Sequence, residues 1–451
     1  MEIRGPEGQQ ERQVTPIMTS AGGNSHSRLR FHAGWSLLFR RAVYVASALK
    51  YFLRREDYPL FRLSSANGGA LATLKIARQL KLEKMVQFNS TYYTSPVLPR
   101  YPSRAYDHMV ATGGLNIAAA GTPLKPQISM ILLGITRRCD LHCLHCYERF
   151  NLAPAETVPI SRWKEVIREI QAQGAGVVVL TGGEPMLRYE GLLELLESGN
   201  KDLSEFHIHI SGLGVTPERA RELRCAGLTA AAVGLDDVDP RRHDTLRGFE
   251  GSHRLAVSAL RDFFDAGVFT YTNMCVTRDI VRAGDLWKYY ELARSLNVGM
   301  IEMLEPRPCG GFAGRGDDIL LSDDDRTKVT EFFVTANTAK RFREYPLVYY
   351  VAYTEAPERM GCMMGGLSHL TIDSRGNVNP CVFLPVTFGN IMKEDFSTIY
   401  ARMRKVIPRP VHKVCPSVTL AGPIRDRSQA GNAGPVPYEV LKNEWEAVVS
   451  G

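Results

Sequence analysis

Several features are scarce in this 451-residue chain, and each scarcity narrows its reading. The opening residues, Met-Glu-Ile-Arg-Gly-Pro-Glu-Gly-Gln-Gln, have no apolar core, which argues against a secretory signal and for a cytoplasmic protein. Residues 35–55 form the most membrane-like segment, but Arg40 and Arg41 break it well short of the roughly 20 apolar residues that a bilayer span needs. Its Trp35, Leu38, Ala42, Val45, Leu49 and Phe52 recur at helical spacing with basic flanks. This predicts an amphipathic helix packed on the protein's own body, with peripheral contact at a membrane surface left open. A net charge of +7 over this length is too dilute to be a nucleic-acid footprint. Nine cysteines, odd in number and unevenly clustered, suit metal sites in a reducing compartment better than a disulfide framework.

What is present supports more than one unit: 44% of residues are hydrophobic, and the length predicts two or three domains. Residues 1–30 are polar and expected to be disordered. Residues 31–125 are expected to be mainly helical, with a second helix over 71–82 and an extended aromatic segment over 91–102. From 126 to 310 strands and helices alternate. An apolar run at 128–136 and strand-like segments at 177–180, 206–211, 230–235, 269–277 and 298–304 predict six parallel strands, hence an α/β fold built on a partial (β/α)6 TIM-type barrel. Ser161 is a candidate cap for a helix burying Trp163, Val166, Ile167 and Ile170. A linker helix over 311–345 starts favourably at Ser322 with Asp323, Asp324 and Asp325. A small α+β unit over 346–420 and a tail over 421–451, ending in a helix with Trp445, complete the chain.

The chemistry concentrates in βα loops, where barrels place function. Directly after the first strand comes Cys139-Asp-Leu-His-Cys143-Leu-His-Cys146. Three thiolates suit an iron–sulfur cluster with one iron left open, whereas structural zinc usually takes four ligands. A zinc knuckle using His142 or His145 stays as the competing reading. After the second strand comes Thr181-Gly182-Gly183-Glu184-Pro185, where two glycines admit close backbone approach and a carboxylate can accept from an ammonium group.

The C-x3-C-x2-C loop, followed one βα unit later by Gly-Gly-Glu-Pro, resembles the radical S-adenosylmethionine (SAM) superfamily. The resemblance implies a [4Fe–4S] cluster on Cys139, Cys143 and Cys146 with SAM on its open iron. It also implies reductive cleavage of SAM to a 5′-deoxyadenosyl radical and abstraction of a substrate hydrogen. His145, Gly182, Gly183 and Glu184 are then expected SAM contacts. Val233-Gly-Leu-Asp236, with His243-Asp244 and Arg247-Gly248, resembles elements of the subfamily that carries a C-terminal SPASM extension, and adds Asp236 and Arg247. Gly234 stands where serine is common in that subfamily; Ser211 is the candidate substitute for the missing hydroxyl.

Cys362, a hairpin over 371–378, Cys381 and Cys415 resemble the SPASM or shortened twitch extension, which implies an auxiliary [4Fe–4S] cluster. A complete SPASM unit has seven cysteines; three here permit one cluster with its fourth ligand undecided. Cys309, in Glu305-Pro-Arg-Pro-Cys-Gly-Gly, is the main candidate, with a substrate-facing thiol or a plain loop residue left open. Cys225 and Cys275 read as small buried side chains. The expected partners are SAM, a reductant such as flavodoxin or ferredoxin, and a substrate. For the substrate, the resemblance favours a peptide, with lipid, cofactor or other small-molecule biosynthesis as the alternative. A non-enzymatic iron–sulfur electron carrier is a third reading, but it has no use for the Gly-Gly-Glu turn.

Overall fold

The computed structural model describes residues 28–33, 81, 83–112, 128–428 and 435–449. The helices expected over 35–55 and 71–82, and most of the segment expected to be disordered, lie outside the described residues.

The described N-terminal part, expected to be mainly helical, holds three antiparallel strands, the third of them at the start of the segment expected to be extended. They are β1 (Leu29–Ala33), β2 (Lys84–Phe88) and β3 (Thr91–Tyr93), in the order β1-β2-β3. Six parallel strands then follow as predicted: β4 (Met130–Thr136), β5 (Val177–Gly182), β6 (Glu205–Ile210), β7 (Leu228–Gly234), β8 (Phe269–Cys275) and β9 (Met300–Leu304). They are apolar almost throughout because helices cover one face and the barrel lumen is packed at the other. Helix Ile160–Ala172 buries Trp163, Val166, Ile167 and Ile170, one stripe at helical spacing. Its cap position falls to Pro159, whose extended backbone already has N-cap geometry. Ser161 therefore lies inside the first turn and caps nothing.

The sheet does not stop at six strands. β10 (Leu347–Tyr350), from a stretch expected in the C-terminal extension, pairs parallel with β9. On the other edge β11 (His369–Ile372) pairs parallel with β4, and β12 (Val378–Asn379) returns antiparallel to β11. The extension thus begins as a continuation of the barrel sheet. Gly134 on β4 makes room for it, since a Cβ there would stand 2.6 Å from the Ser374 amide.

Inside the barrel Ala230, Ala232, Phe269, Tyr271, Met300, Leu347 and Tyr349 pack against Val86, Phe88 and Tyr93. Tyr93 stacks on Phe269 with centroids 3.8 Å apart and planes 6° from parallel. The small N-terminal sheet therefore closes the end where the strands begin, and Lys84 pins it by donating to the Tyr290 hydroxyl at 2.8 Å and to two backbone carbonyls. Among the described residues the end at the strand C-termini is the one left for ligands.

Helix Asp323–Thr338 starts with the expected Ser322 cap, as a full capping box with Asp325. Helix Lys442–Val449 docks Trp445 against Phe388 and Tyr438. Cys275 is buried as expected. Cys225 is not: it ends helix Pro217–Cys225, whose inward face is taken by Ala220 and Leu223, and so it is exposed. Among the described residues no helix is long and apolar enough to cross a membrane.

Candidate functional site

The three-cysteine loop leaves the end of β4 and is clamped from two sides. On one side the His142 and Leu144 amides donate to the carbonyls of Arg247 and Leu246, at 3.1 and 2.8 Å. On the other the Gly311 amide donates to the Cys146 carbonyl at 2.8 Å. Gly310, at φ +54, and Gly311 lie so close that a Cβ on either would overlap backbone of the cysteine loop.

Burial raises all three thiol pKa values, Cys139 to about 12. Cys143 adds to the rise at Cys139, and Cys143 and Cys139 add to it at Cys146. Three thiolates in so buried a place need a cationic centre. Thiols close enough to feel one another suit a polynuclear iron–sulfur cluster.

At the end of β5 the two glycines let the turn lie on the base of that loop. A Cβ on Gly183 would overlap the Arg138 carbonyl, and the Gly183 and Glu184 amides donate to the Thr136 and Arg138 carbonyls, each at 2.8 Å. With those amides used, what the turn presents to a ligand is acceptors. Glu184 is the main one: its carboxylate accepts from the Ser211 amide at 2.8 Å, the Ser211 hydroxyl at 2.5 Å and the Met186 amide at 3.3 Å. Burial outweighs these donors and pushes its pKa to about 7. A carboxyl so placed holds its charge best against a cation such as an amino group.

Asp236, past the end of β7, accepts from Arg247 Nε at 2.6 Å and from the Cys275 amide at 2.9 Å. Burial alone would raise its pKa, but Arg247, His145 and His243 outweigh burial and hold it near 2. The Arg247 guanidinium also lies against the Cys143 thiol, so one buried cation joins the cysteine loop to the end of the fourth barrel strand. Gly234 leaves its place to that guanidinium, which a Cβ there would overlap. His145 stands with Nε2 3.9 Å from Asp236, kept neutral by burial at a pKa of about 4. Its Nδ1 is buried without a partner among the described residues, an orphaned polar atom consistent with a contact supplied by a ligand.

The second thiol set gathers around Cys415. Cys309 and Cys362 each interact with Cys415, and Cys381 interacts with Cys415, Cys362 and Cys309. Burial is the main cause of the raised pKa at Cys309, Cys362 and Cys381. The fold thus brings Cys309 to the C-terminal cysteines, and through Gly310 and Gly311 it is tied to the first loop as well. A cavity of about 450 Å³ lies beside it, lined by Tyr147, Asn151, Val382, Phe383 and Ser417 among others.

Sequence profiles agree with this division. The radical SAM superfamily matches residues 133–288, and an iron–sulfur cluster-binding domain of the SPASM type matches residues 362–417. The chain carries a radical SAM domain followed by a SPASM domain. It is an enzyme of the SPASM-bearing kind, with a [4Fe–4S] cluster and SAM as its cofactors. An AdoMet-dependent heme synthase of Nitratidesulfovibrio vulgaris is 24% identical over 64% of this chain and 87% of its own length. A PqqA peptide cyclase of Streptomyces rochei is 27% identical over 61% of this chain and 76% of its own. Among solved structures, SuiB of Streptococcus suis bound to SAM shares the fold, with a TM-score of 0.52 at 16% identity over 67% of this chain and 75% of that one.

The lumen of this radical SAM barrel contains groups the motif reading did not reach. Glu302 on β9 is buried and, among the described residues, accepts a single 3.2 Å bond, from Asn273 on β8. Burial alone pushes its pKa to about 7. His209 on β6 faces the Tyr271 hydroxyl at 3.0 Å and is kept neutral by burial, near 3. The signal was the two-residue alternation in Phe206-His-Ile-His-Ile, which sends His207 and His209 to one face and Phe206 and Ile208 to the other.

Proposed function

We propose that this enzyme oxidatively modifies a peptide. In this reading Cys139, Cys143 and Cys146 hold the SAM-binding cluster, and Cys309, Cys362, Cys381 and Cys415 hold one fully ligated auxiliary cluster. The observation that carries it is the second thiol set, four cysteines linked through Cys415 and Cys381 and tied to the first loop through Gly310 and Gly311. A fourth thiol removes the open iron that an additional substrate ligand would use, which favours a role in accepting electrons.

When bound, the SAM-loaded cluster supplies a 5′-deoxyadenosyl radical that takes a hydrogen atom from carbon. The protein's own groups bind and orient. Glu184, fixed by both donors of Ser211, would accept from the SAM amino group, while Gly182 and Gly183 bring that carboxylate against the cysteine loop. Asp236, Arg247 and His145 would frame the opposite side of SAM. Glu302 and Asn273, with His209 and Tyr271 behind them, would receive polar atoms of the substrate in a lumen otherwise walled by Ala230, Ala232 and aromatic rings. Their burial keeps bulk water from the radical.

Peptide modification is supported by the relatives named as PqqA peptide cyclases and by AlbA of Bacillus subtilis, a subtilosin biosynthesis protein. SuiB has also been solved with its precursor peptide SuiA. A second reading, cofactor biosynthesis, is supported by the relatives named as heme synthases. A one-electron protein reductant such as flavodoxin or ferredoxin would serve either reaction in the cytoplasm.

The test is anaerobic turnover of reconstituted protein with dithionite and SAM, scored by mass spectrometry. Formation of 5′-deoxyadenosine is expected, enhanced by a short peptide encoded beside the gene, which itself should lose pairs of hydrogens. Enhancement by an iron porphyrin instead would replace the peptide reading with the second one, and no 5′-deoxyadenosine under any condition would sink both.

A further inference from the structure

We propose that Arg307 tunes the auxiliary cluster, holding a buried positive charge against Cys415 and so raising the potential at which that site accepts an electron. The inference rests on the assignment of Cys309, Cys362, Cys381 and Cys415 as its ligands.

Arg307 lies two residues past Glu305, just beyond the end of β9, between Pro306 and Pro308. Its carbonyl accepts from the Cys309 amide at 2.8 Å, a tight turn stiffened on both sides by proline. From this turn both Arg307 and Cys309 reach the same thiol, Cys415. The guanidinium is anchored from behind, where Nη1 donates to Glu305 at 3.0 Å. That carboxylate also accepts from Arg326 at 3.2 Å and from the Tyr350 hydroxyl at 2.5 Å, with its side chain 2% exposed. Cys415 receives one further polar neighbour, the Ser417 hydroxyl at 3.1 Å.

Arg307 shares the Glu305 carboxylate with Arg326, which also reaches Asp323 at 3.6 Å, and it faces the Cys415 sulfur as well. A buried cation is costly unless something anionic faces it. Each electron taken up by an iron–sulfur cluster adds one negative charge, and net charge and hydrogen bonds to sulfur are main determinants of its potential. Arg307 therefore stabilises the reduced form over the oxidised form.

The opposing account is that Arg307 only braces Glu305 and the turn. The two are separated by a potential. In a Cys139→Ala/Cys143→Ala/Cys146→Ala background only the auxiliary cluster remains, and its one-electron reduction is followed by anaerobic titration with electron paramagnetic resonance. Arg307→Met is expected to weaken reduction at least tenfold, a shift of about 59 mV to more negative potential. Arg307→Lys, which keeps the charge and loses the fork, should shift it less. Glu305→Gln, which keeps the size but removes the neutralising charge, should shift it the other way. An unchanged potential in Arg307→Met at full iron content overturns the proposal. If that variant loses its iron, a Glu305→Gln potential that is unmoved or moves negative overturns it equally. No iron in the triple-alanine background would instead remove the auxiliary cluster assignment itself.

Discussion

Ser211 commits both of its donors to one oxygen of Glu184, the amide at 2.8 Å and the hydroxyl at 2.5 Å. The sequence suggested Ser211 as a direct stand-in for the hydroxyl missing at Gly234. In the structure that hydroxyl is spent on Glu184, and the place at Gly234 is filled by Arg247. The carboxylate is thereby fixed in direction and left with acceptor capacity for a ligand. Glu184→Gln should weaken SAM binding by roughly 10- to 100-fold, the range for a hydrogen bond to a charged group. Ser211→Ala should cost less, because the amide donor stays. Equilibrium binding of SAM to the reconstituted enzyme measures both, and wild-type affinity in Glu184→Gln would show that this carboxyl does not hold the amino group.

Gly234 carries the next expectation. Alanine or serine there would displace the Arg247 guanidinium from Asp236 and from the Cys143 thiol. Breaking a buried charge pair costs about 3 to 5 kcal/mol. Gly234→Ala should therefore lose SAM binding and iron from the first site while keeping the auxiliary signal. A variant with wild-type iron and affinity would mean that Arg247 relocates freely.

Much of this was legible beforehand, and the residues show why. The six barrel strands are largely buried on both faces, and the clearest of them left an apolar run, Val177-Val-Val-Leu180. Cys139, Cys143 and Cys146 were legible because their ligand geometry is local. The strands β1 and β2 were not, since Leu-Arg-Phe-His-Ala and Lys-Met-Val-Gln-Phe are short and mixed, and their burial comes only from the barrel end they close. Cys309 was the main candidate for the fourth ligand of the auxiliary set, but two other roles stayed open because nothing local ties it to the C-terminal cysteines. It precedes Cys362 by a helix and a barrel strand, and only the closed barrel mouth brings the two regions together.

Iron counting tests that set. The intact chain should bind about eight iron atoms, as two four-iron clusters. Alanine at Cys362, Cys381 or Cys415 should remove about four, as should alanine at Cys139, Cys143 or Cys146. Cys309→Ala is the informative variant: destabilised auxiliary iron, with an altered paramagnetic signal, is expected from a ligand. A full complement with an unchanged signal would leave Cys309 as a loop residue or a substrate-facing thiol.

Glu302 gives a pH prediction with a definite sign. Burial raises its folded pKa to about 7 from an ordinary 4.5, and Asn273 is its single hydrogen-bond donor among the described residues. Between those two values the folded chain binds a proton that the unfolded chain has released. Stability from this group is therefore complete below about pH 4.5 and is lost as pH rises through 7. The shift corresponds to about 3 kcal/mol. Glu302→Gln keeps the shape and the contact with Asn273 but cannot ionise. Its melting temperature, taken on the cluster-loaded protein without SAM, should approach or pass that of wild type as pH is raised from 5.5 to 8. The gap between the two proteins should change most between about pH 5 and pH 7, where only the folded chain holds the proton, and level off above pH 7. A gap that is constant across this range would show that Glu302 is not the buried, proton-holding carboxyl of the lumen.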